Sequence, residues 1–409
     1  MGLISVPVFI RMIGLDQYGR FAVIVPFLMA VAGASSGWLA QGILRFHPGA
    51  TDPQDYLLTF DRAVKRATIA SVIVTSVVLA AVLDRLQYPL PTLFVSLAFC
   101  LALLVYTVGL SKFQAQLWPR SVMRREIVRS ACGFVFPLVL IVLTGRRQFQ
   151  LVVLGQAIAY TIAFLPRYRR RNSAHEIAAE AVRSFRSDSS STGGMIRQLW
   201  QFGWAVGLWL LLSQLLPVID RWTIQRFASF ASAGVYASLY EIAIRSFSFL
   251  VFPVTQAAHP RIMRYWNEGD FAASYRIIRS SLLSQLIIFA AVLVVVFFLS
   301  HRITRLILGF DDPIAAPMLP ILLVGGFLWQ LALLIHKPLE IAQRTDAMLA
   351  AMVGAVALNV IGCFAFIPHF GYEAASYSLV FSACSYIALT LGMTRFRALR
   401  RFSEAAETY

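Results

Sequence analysis

Apolar residues along this chain come in long blocks, not in the alternating pattern of strands or the one-sided stripe of a surface helix. Ala67 to Leu83, Leu90 to Leu110, Ile127 to Leu143 and Met348 to Ile367 carry little or no charge. A bilayer core about 30 Å thick takes roughly 20 such residues as a helix. Soluble core helices of that length carry a polar face. The pattern predicts an all-α polytopic membrane protein with twelve spans, at about 1–13, 20–44, 67–84, 90–110, 127–144, 149–166, 198–226, 233–258, 281–299, 315–336, 348–367 and 372–394. The expected organisation is an N-terminal six-helix lobe over 1–167, a cytoplasmic linker over 168–197, a C-terminal six-helix lobe over 198–394 and a basic tail over 395–409.

The distribution of Lys and Arg orients these spans, because basic residues collect in cytoplasmic loops. Of 36 Lys and Arg, 25 fall in one alternating set of loops and the tail, and 7 fall in the opposite set. Both termini are therefore expected in the cytoplasm. The same distribution accounts for the formal net charge of +16 without invoking nucleic acid. Within the linker, Ser173 to Glu176 has the form of a capping box, and Ile177, Ala178, Ala181, Val182 and Phe185 recur at helical spacing. A basic amphipathic helix on the inner leaflet and a solvated linker both fit. Ser187 to Gly194 reads as a flexible joint.

An even number of spans per half gives both halves the same orientation, as in parallel repeats about an axis along the membrane normal. An offset of 215 residues places Arg11 on Arg226, Gly19 on Gly234, Phe21 on Tyr236 and Gln41 on Gln256. The first span is the odd one. Residues 1–13 rise only about 20 Å as a helix, short of a crossing, so this span is expected to lack its beginning.

Composition adds exclusions. The chain is 58% hydrophobic and 14% charged, against about 25% charged in soluble domains. Cys100, Cys132, Cys363 and Cys384 lie in apolar runs without metal-ligand spacing and read as small packing residues. The histidines are scattered, Asp311-Asp312 reads as a solvated turn beside Pro313, and no phosphate-binding glycine loop is present. No enzyme signature, metal site or cofactor is expected.

Several loop motifs resemble those of Wzx-type oligosaccharide-lipid flippases, within the multidrug/oligosaccharidyl-lipid/polysaccharide exporter superfamily. They are Pro7 to Gly19 (PVFIRMIGLDQYG), Asp220-Arg221 with Ala233 to Tyr236, Phe252 to Arg261 with Glu268 to Asp270, Leu306 to Gly309 with Ala316 to Leu322, and Ile367 to Ala375. The short first helix departs from the family pattern. The resemblance implies a two-lobed transporter in the bacterial inner membrane. It would carry an oligosaccharide on undecaprenyl pyrophosphate to the outer leaflet for O-antigen, exopolysaccharide or capsule synthesis. Implied partners are that substrate, membrane lipids, a coupling proton or cation, and the polysaccharide polymerase machinery.

Ionisable residues inside a bilayer are expensive and usually face a cavity or a partner. Glu241 and Arg245 share one helix face at i, i+4 spacing. Asp220 and Arg221 fall at similar depth on the preceding span, and Arg11 lies near the outer end of its own. One reading is a hydrated cavity in which Arg11 and Arg245 attract the pyrophosphate, while Asp220 or Glu241 exchanges a proton. The other is that Glu241–Arg245 and Asp220–Arg221 are ion pairs that only fix packing, and that Arg11 snorkels. Arg129 either receives substrate from the inner leaflet or anchors to headgroups. Lys337 and Glu340 read as boundary residues. Trp38 and Trp329 either stack on sugar rings or pack against helices. Pro26, Pro137, Pro217 and Pro253 fall inside spans and are expected to bend them. Two rival functions remain open: a proton- or sodium-coupled multidrug antiporter of the same superfamily, and a membrane-embedded polymerase or glycosyltransferase of the same pathway.

Overall fold

The computed structural model describes residues 2–46, 53–85, 88, 90–116, 118–165, 189–268, 270–341 and 344–406. The described chain is helical throughout. Its helices are α1 (Gly2–Ile13), α2 (Leu15–Phe46), α3 (Pro53–Arg85), α4 (Leu90–Ala115), α5 (Pro119–Thr144), α6 (Phe149–Phe164), α7 (Ser189–Phe227), α8 (Phe230–Leu250), α9 (Phe252–Asn267), α10 (Phe271–Leu308), α11 (Ala315–Ile335), α12 (Lys337–Ile341), α13 (Thr345–Phe370) and α14 (Ala374–Ala406). The capping box and amphipathic stretch expected between Ser173 and Phe185 lie outside the described residues.

Each of the twelve expected spans falls on a helix. Among the described residues, nine helices are long and apolar enough to cross a bilayer. The eighth expected span is broken: Phe230–Phe247 and Phe252–Trp266 meet at 41°. Pro253, in the first turn of α9, cannot donate to the helix before it, which ends α8 there. The two remaining spans, Ile4–Ile13 and Phe149–Phe164, are shorter apolar helices. Outward-facing apolar side chains on α10, among them Leu283, Ile287, Val294, Phe297 and Phe298, suit a hydrocarbon solvent.

One expectation needs correction. The joint read over 187–194 does not hold for Ser189 to Gly194, which form the first turns of α7. Their weak helix propensity costs roughly 0.5–1 kcal/mol per residue, which a long helix continuing from an apolar segment outweighs. The helix α14 runs on through the basic tail to Ala406.

Elsewhere the helix ends follow local chemistry. Gly145 and Gly309 close α5 and α10 in left-handed conformations, with φ of 66° and 87°, where a side chain would be strained. Asp270 caps α10, accepting from the Ala273 N–H at 2.9 Å.

Contacts group the chain into two compact units, one of Met1–Pro26 with Leu212–Tyr409 and one of Phe27–Leu211. In the second unit, Pro137 of α5 sits against Gly155 of α6, where an added Cβ would lie 2.5 Å from the proline nitrogen. The Pro137 ring is thus accommodated by a missing side chain opposite it. In the first unit, α2 and α8 cross backbone to backbone at Gly19 and Gly234. A Cβ on Gly19 would stand 2.6 Å from the Phe230 carbonyl carbon, and one on Gly234 would stand 2.8 Å from the Leu15 oxygen and 3.2 Å from the Gly19 nitrogen. These glycines are a pair related by the 215-residue offset.

Candidate functional site

Four of the intramembrane charges expected to matter converge in the first unit, on α7 and α8. Asp220 and Arg221 are neighbours in sequence, so their side chains leave α7 about 100° apart. They do not pair with each other through a hydrogen bond or short contact, as the packing reading expected. Each binds a different set of helices.

Arg221 is 2% exposed. Its Nη2 donates to Glu241 Oε1 at 2.8 Å, and its Nη1 donates to the Ala22 carbonyl of α2 at 2.9 Å. The sequence of α2 explains that second acceptor. In a helix the Ala22 carbonyl would accept from the N–H of residue 26, but residue 26 is proline and has none. The carbonyl vacated by Pro26 is taken by Arg221. The guanidinium also lies 5.2 Å from the centroid of the Tyr240 ring, within cation–π range.

Glu241 is shared. Its Oε2 accepts from Arg245 Nε at 3.0 Å, so the i, i+4 pair expected from spacing is present. One carboxylate therefore serves two guanidiniums, and side-chain exposure rises from 2% at Arg221 through 27% at Glu241 to 41% at Arg245. The series carries a net positive charge, and Arg245 is its open end.

Asp220 is fully buried and is held by neutral donors. The Tyr236 hydroxyl donates to Oδ2 at 2.6 Å, and Asn359 Nδ2 and Cys363 Sγ donate to Oδ1 at 3.1 and 3.2 Å. Cys363, expected only to fill space, is a ligand of this carboxylate. Asp220 thereby ties α7 to α8 and α13, while Arg221 ties α7 to α2 and α8.

The remaining candidates lie apart from this cluster. Arg11 is exposed, and its Nη2 donates to the Leu306 carbonyl at the end of α10, at 3.0 Å. Arg129, in the second unit, is bound to Glu126 Oε2 at 2.7 and 3.0 Å, and Glu126 Oε1 accepts from the Tyr106 hydroxyl at 2.7 Å. Its guanidinium stands 5.6 Å from the Tyr160 ring centroid. Glu126 and Tyr106 were not singled out by the sequence, although Glu126 at i, i+3 from Arg129 was visible there. Trp38 packs edge-on to Trp200, with ring centroids 5.5 Å apart, and its backbone lies against Gly203 of α7. The Trp329 ring lies 5.4 Å from Tyr386.

Lys337, just past the end of the apolar helix α11, is 8% exposed, and its Nζ binds Glu340 at 2.5 Å. Buried His336 is within 3.0 Å of the Tyr386 hydroxyl, so the turn into α12 is an internal polar cluster. Among the described residues, no group of His, Cys, Asp and Glu could hold a metal ion. Asp312 is also more than a solvated turn. Its Oδ1 accepts from the Ile314 N–H just before α11 at 2.9 Å, and its Oδ2 accepts from the Tyr372 hydroxyl at 3.1 Å.

The fold has counterparts among known proteins. The family described as "Polysaccharide biosynthesis protein" matches residues 1–266. None of the curated proteins shows significant similarity. Solved structures similar to the chain include an inward-facing multidrug resistance MATE family transporter of the MOP superfamily (TM-score 0.73, 11% identity, 97% of this chain and 94% of that one). The lipid II flippase MurJ in an inward closed conformation is also similar (TM-score 0.73, 12% identity, 96% and 85%). An outward-facing MATE family transporter gives a TM-score of 0.61 at 12% identity over 98% and 96%. At these identities the likeness concerns the fold alone, a bundle of apolar helices shared with MATE family transporters and MurJ.

Proposed function

Because the chain belongs to the polysaccharide biosynthesis protein family, we propose that it is a flippase carrying an undecaprenyl-pyrophosphate-linked oligosaccharide across the bacterial inner membrane by alternating access. The observation that carries this reading is the carboxylate of Glu241 shared between Arg221 and Arg245. Two guanidiniums against one carboxylate leave a net positive charge, and Arg245 presents it at the more exposed end. A guanidinium suits the paired oxygens of a pyrophosphate. A substrate phosphate would compete with Glu241 for Arg245 and leave the Glu241–Arg221 pair in place.

Asp220 or Glu241 is the group for a coupling proton or cation. The two termini lie in the cytoplasm on this reading, and the product is delivered to polymerase machinery on the other side. The likeness to MATE transporters supports a second reading, a cation-coupled multidrug antiporter. The exposed arginine favours the anionic cargo.

Deletion of the gene, followed by analysis of lipid-linked intermediates, tests the assignment. Complete repeat units accumulating on the carrier support the flippase, and restoration by the wild-type gene but not by Arg245→Ala, at equal protein level, assigns the arginine. Unchanged polymer output with increased drug sensitivity would point to the antiporter.

A further inference from the structure

A slot of about 420 Å³ runs between α1, α8, α10 and α11 in the first unit, a volume typical of ligand pockets. Its walls are apolar, with Ile4, Pro7, Val292, Val296, Leu319 and Leu323 among them. The polar side chains on it are Ser246, whose hydroxyl is turned back to the Ile242 carbonyl at 2.8 Å, and Arg11. On α10 the lining runs from Val292 to Ile307, about 22 Å at 1.5 Å per residue. That exceeds half of a hydrocarbon core, about 15 Å. Arg11 stands at one end, in the last turn of α1 and beside Leu306 near the end of α10. It is level with the helix ends, where lipid phosphates lie.

The slot is separate from the charge cluster. Ile242 and Ser246 each follow a cluster residue, Glu241 or Arg245, by one position, so they face about 100° away around α8. No carboxylate lines the slot to offset Arg11. We propose that it is a binding site for one acyl chain of an anionic membrane phospholipid, whose phosphodiester is held by Arg11. The guanidinium has five N–H donors, and one bond to the Leu306 carbonyl leaves capacity for a phosphate oxygen. On the topology expected from the basic loops, the lipid belongs to the outer leaflet. The site does not depend on what the transporter carries.

Native mass spectrometry of the purified full-length protein, titrated with dioleoylphosphatidylglycerol or dioleoylphosphatidylcholine, tests this. The wild type should hold one phosphatidylglycerol about tenfold more tightly than phosphatidylcholine, the factor expected of about 1.4 kcal/mol from one charge-assisted contact. Arg11→Leu should abolish that preference, and Arg11→Lys should retain part of it. Val296→Trp, which fills the slot, should remove the tight lipid of either class. Equal binding of the two lipids by the wild type, or an unchanged preference in Arg11→Leu, overturns the proposal. So does displacement of the bound lipid by a polyprenyl pyrophosphate but not by phosphatidylglycerol, which would assign the slot to the cargo. Arg11→Leu decides the matter even if Val296→Trp does not fold.

Discussion

The contact between Arg221 and the Ala22 carbonyl depends on a proline four residues further along α2, and that dependence can be measured. Replacing Arg221 with Met removes the bond to Ala22, the bond to Glu241 and the contact with Tyr240. Glu241 keeps Arg245 and some exposure, so its loss is partial. Ala22 is 3% exposed, and its carbonyl loses the donor that replaced the missing helical one. Breaking a buried charged pair costs about 3–5 kcal/mol, and Arg221→Met falls at the lower end because Glu241 remains paired. In a Pro26→Ala background residue 26 regains its N–H, and the Ala22 carbonyl regains a helical donor. The cost of Arg221→Met should then shrink by the worth of one interhelical bond from a charged donor. Membrane double-mutant cycles give about 0.6 kcal/mol on average and 1.7 at most, whereas bonds to charged groups run to about 1.5–3. A coupling of about 1–2 kcal/mol follows. Reversible unfolding by SDS titration of the four proteins in mixed micelles measures it. Additivity within about 0.3 kcal/mol, the behaviour of independent sites, would refute the claim that Arg221 serves the carbonyl vacated by Pro26.

Three further outcomes are expected. Gly19→Val must push α2 from α8, because its Cβ would meet the Phe230 carbonyl; overpacking of this kind costs about 1–3 kcal/mol, and no drop in unfolding midpoint would mean the helices separate freely. Tyr236→Phe removes one donor from Asp220 and should cost about 1 kcal/mol, whereas Asp220→Leu strands three donors at about 1–3 kcal/mol each; comparable losses in the two variants would deny that Asp220 joins three helices. Tyr372→Phe unties the loop before α14 from Asp312 and should lower stability by about 1 kcal/mol. Burial and the Asp312 carboxylate hold the Tyr372 phenol above its ordinary value of 10.0, so this stabilisation is fully present below that pH and is lost as pH rises through the folded value. A Tyr372→Phe effect that grows with alkalinity would contradict it.

Apolar runs, charge alternation and proline positions made the helices legible in the sequence, because each depends on nearby residues and on a solvent that allows only helices. The Glu241–Arg245 pair was legible for the same reason, since i, i+4 spacing puts the side chains together whatever the tertiary fold. The partners of Asp220 were not. Tyr236 is 16 residues away, Asn359 is 139 and Cys363 is 143, and nothing local distinguishes that asparagine or cysteine from a packing residue. The Lys337–Glu340 contact was not legible either, because an ionisable side chain at the end of an apolar run looks the same whether it reaches headgroups or folds back onto Glu340.

A proline inside a membrane helix carries a longer-range signal. It identifies a carbonyl, four residues earlier, that needs a donor from elsewhere, since lipid offers none. Pro26 therefore points to Ala22 through the chain's own chemistry, and a buried arginine on a later span is a donor that needs acceptors. Together the two orphans predict their own contact. The Asp220-Arg221 pair then has a physical reason to be adjacent. One residue turns to α13 and the other to α2, and both reach α8, so two side chains a single residue apart join three helices to α7. The exposed end at Arg245 is held by the same network. A phosphate drawing Arg245 away from Glu241 would leave that carboxylate to Arg221 alone, and the change would be felt first at the Ala22 carbonyl of α2.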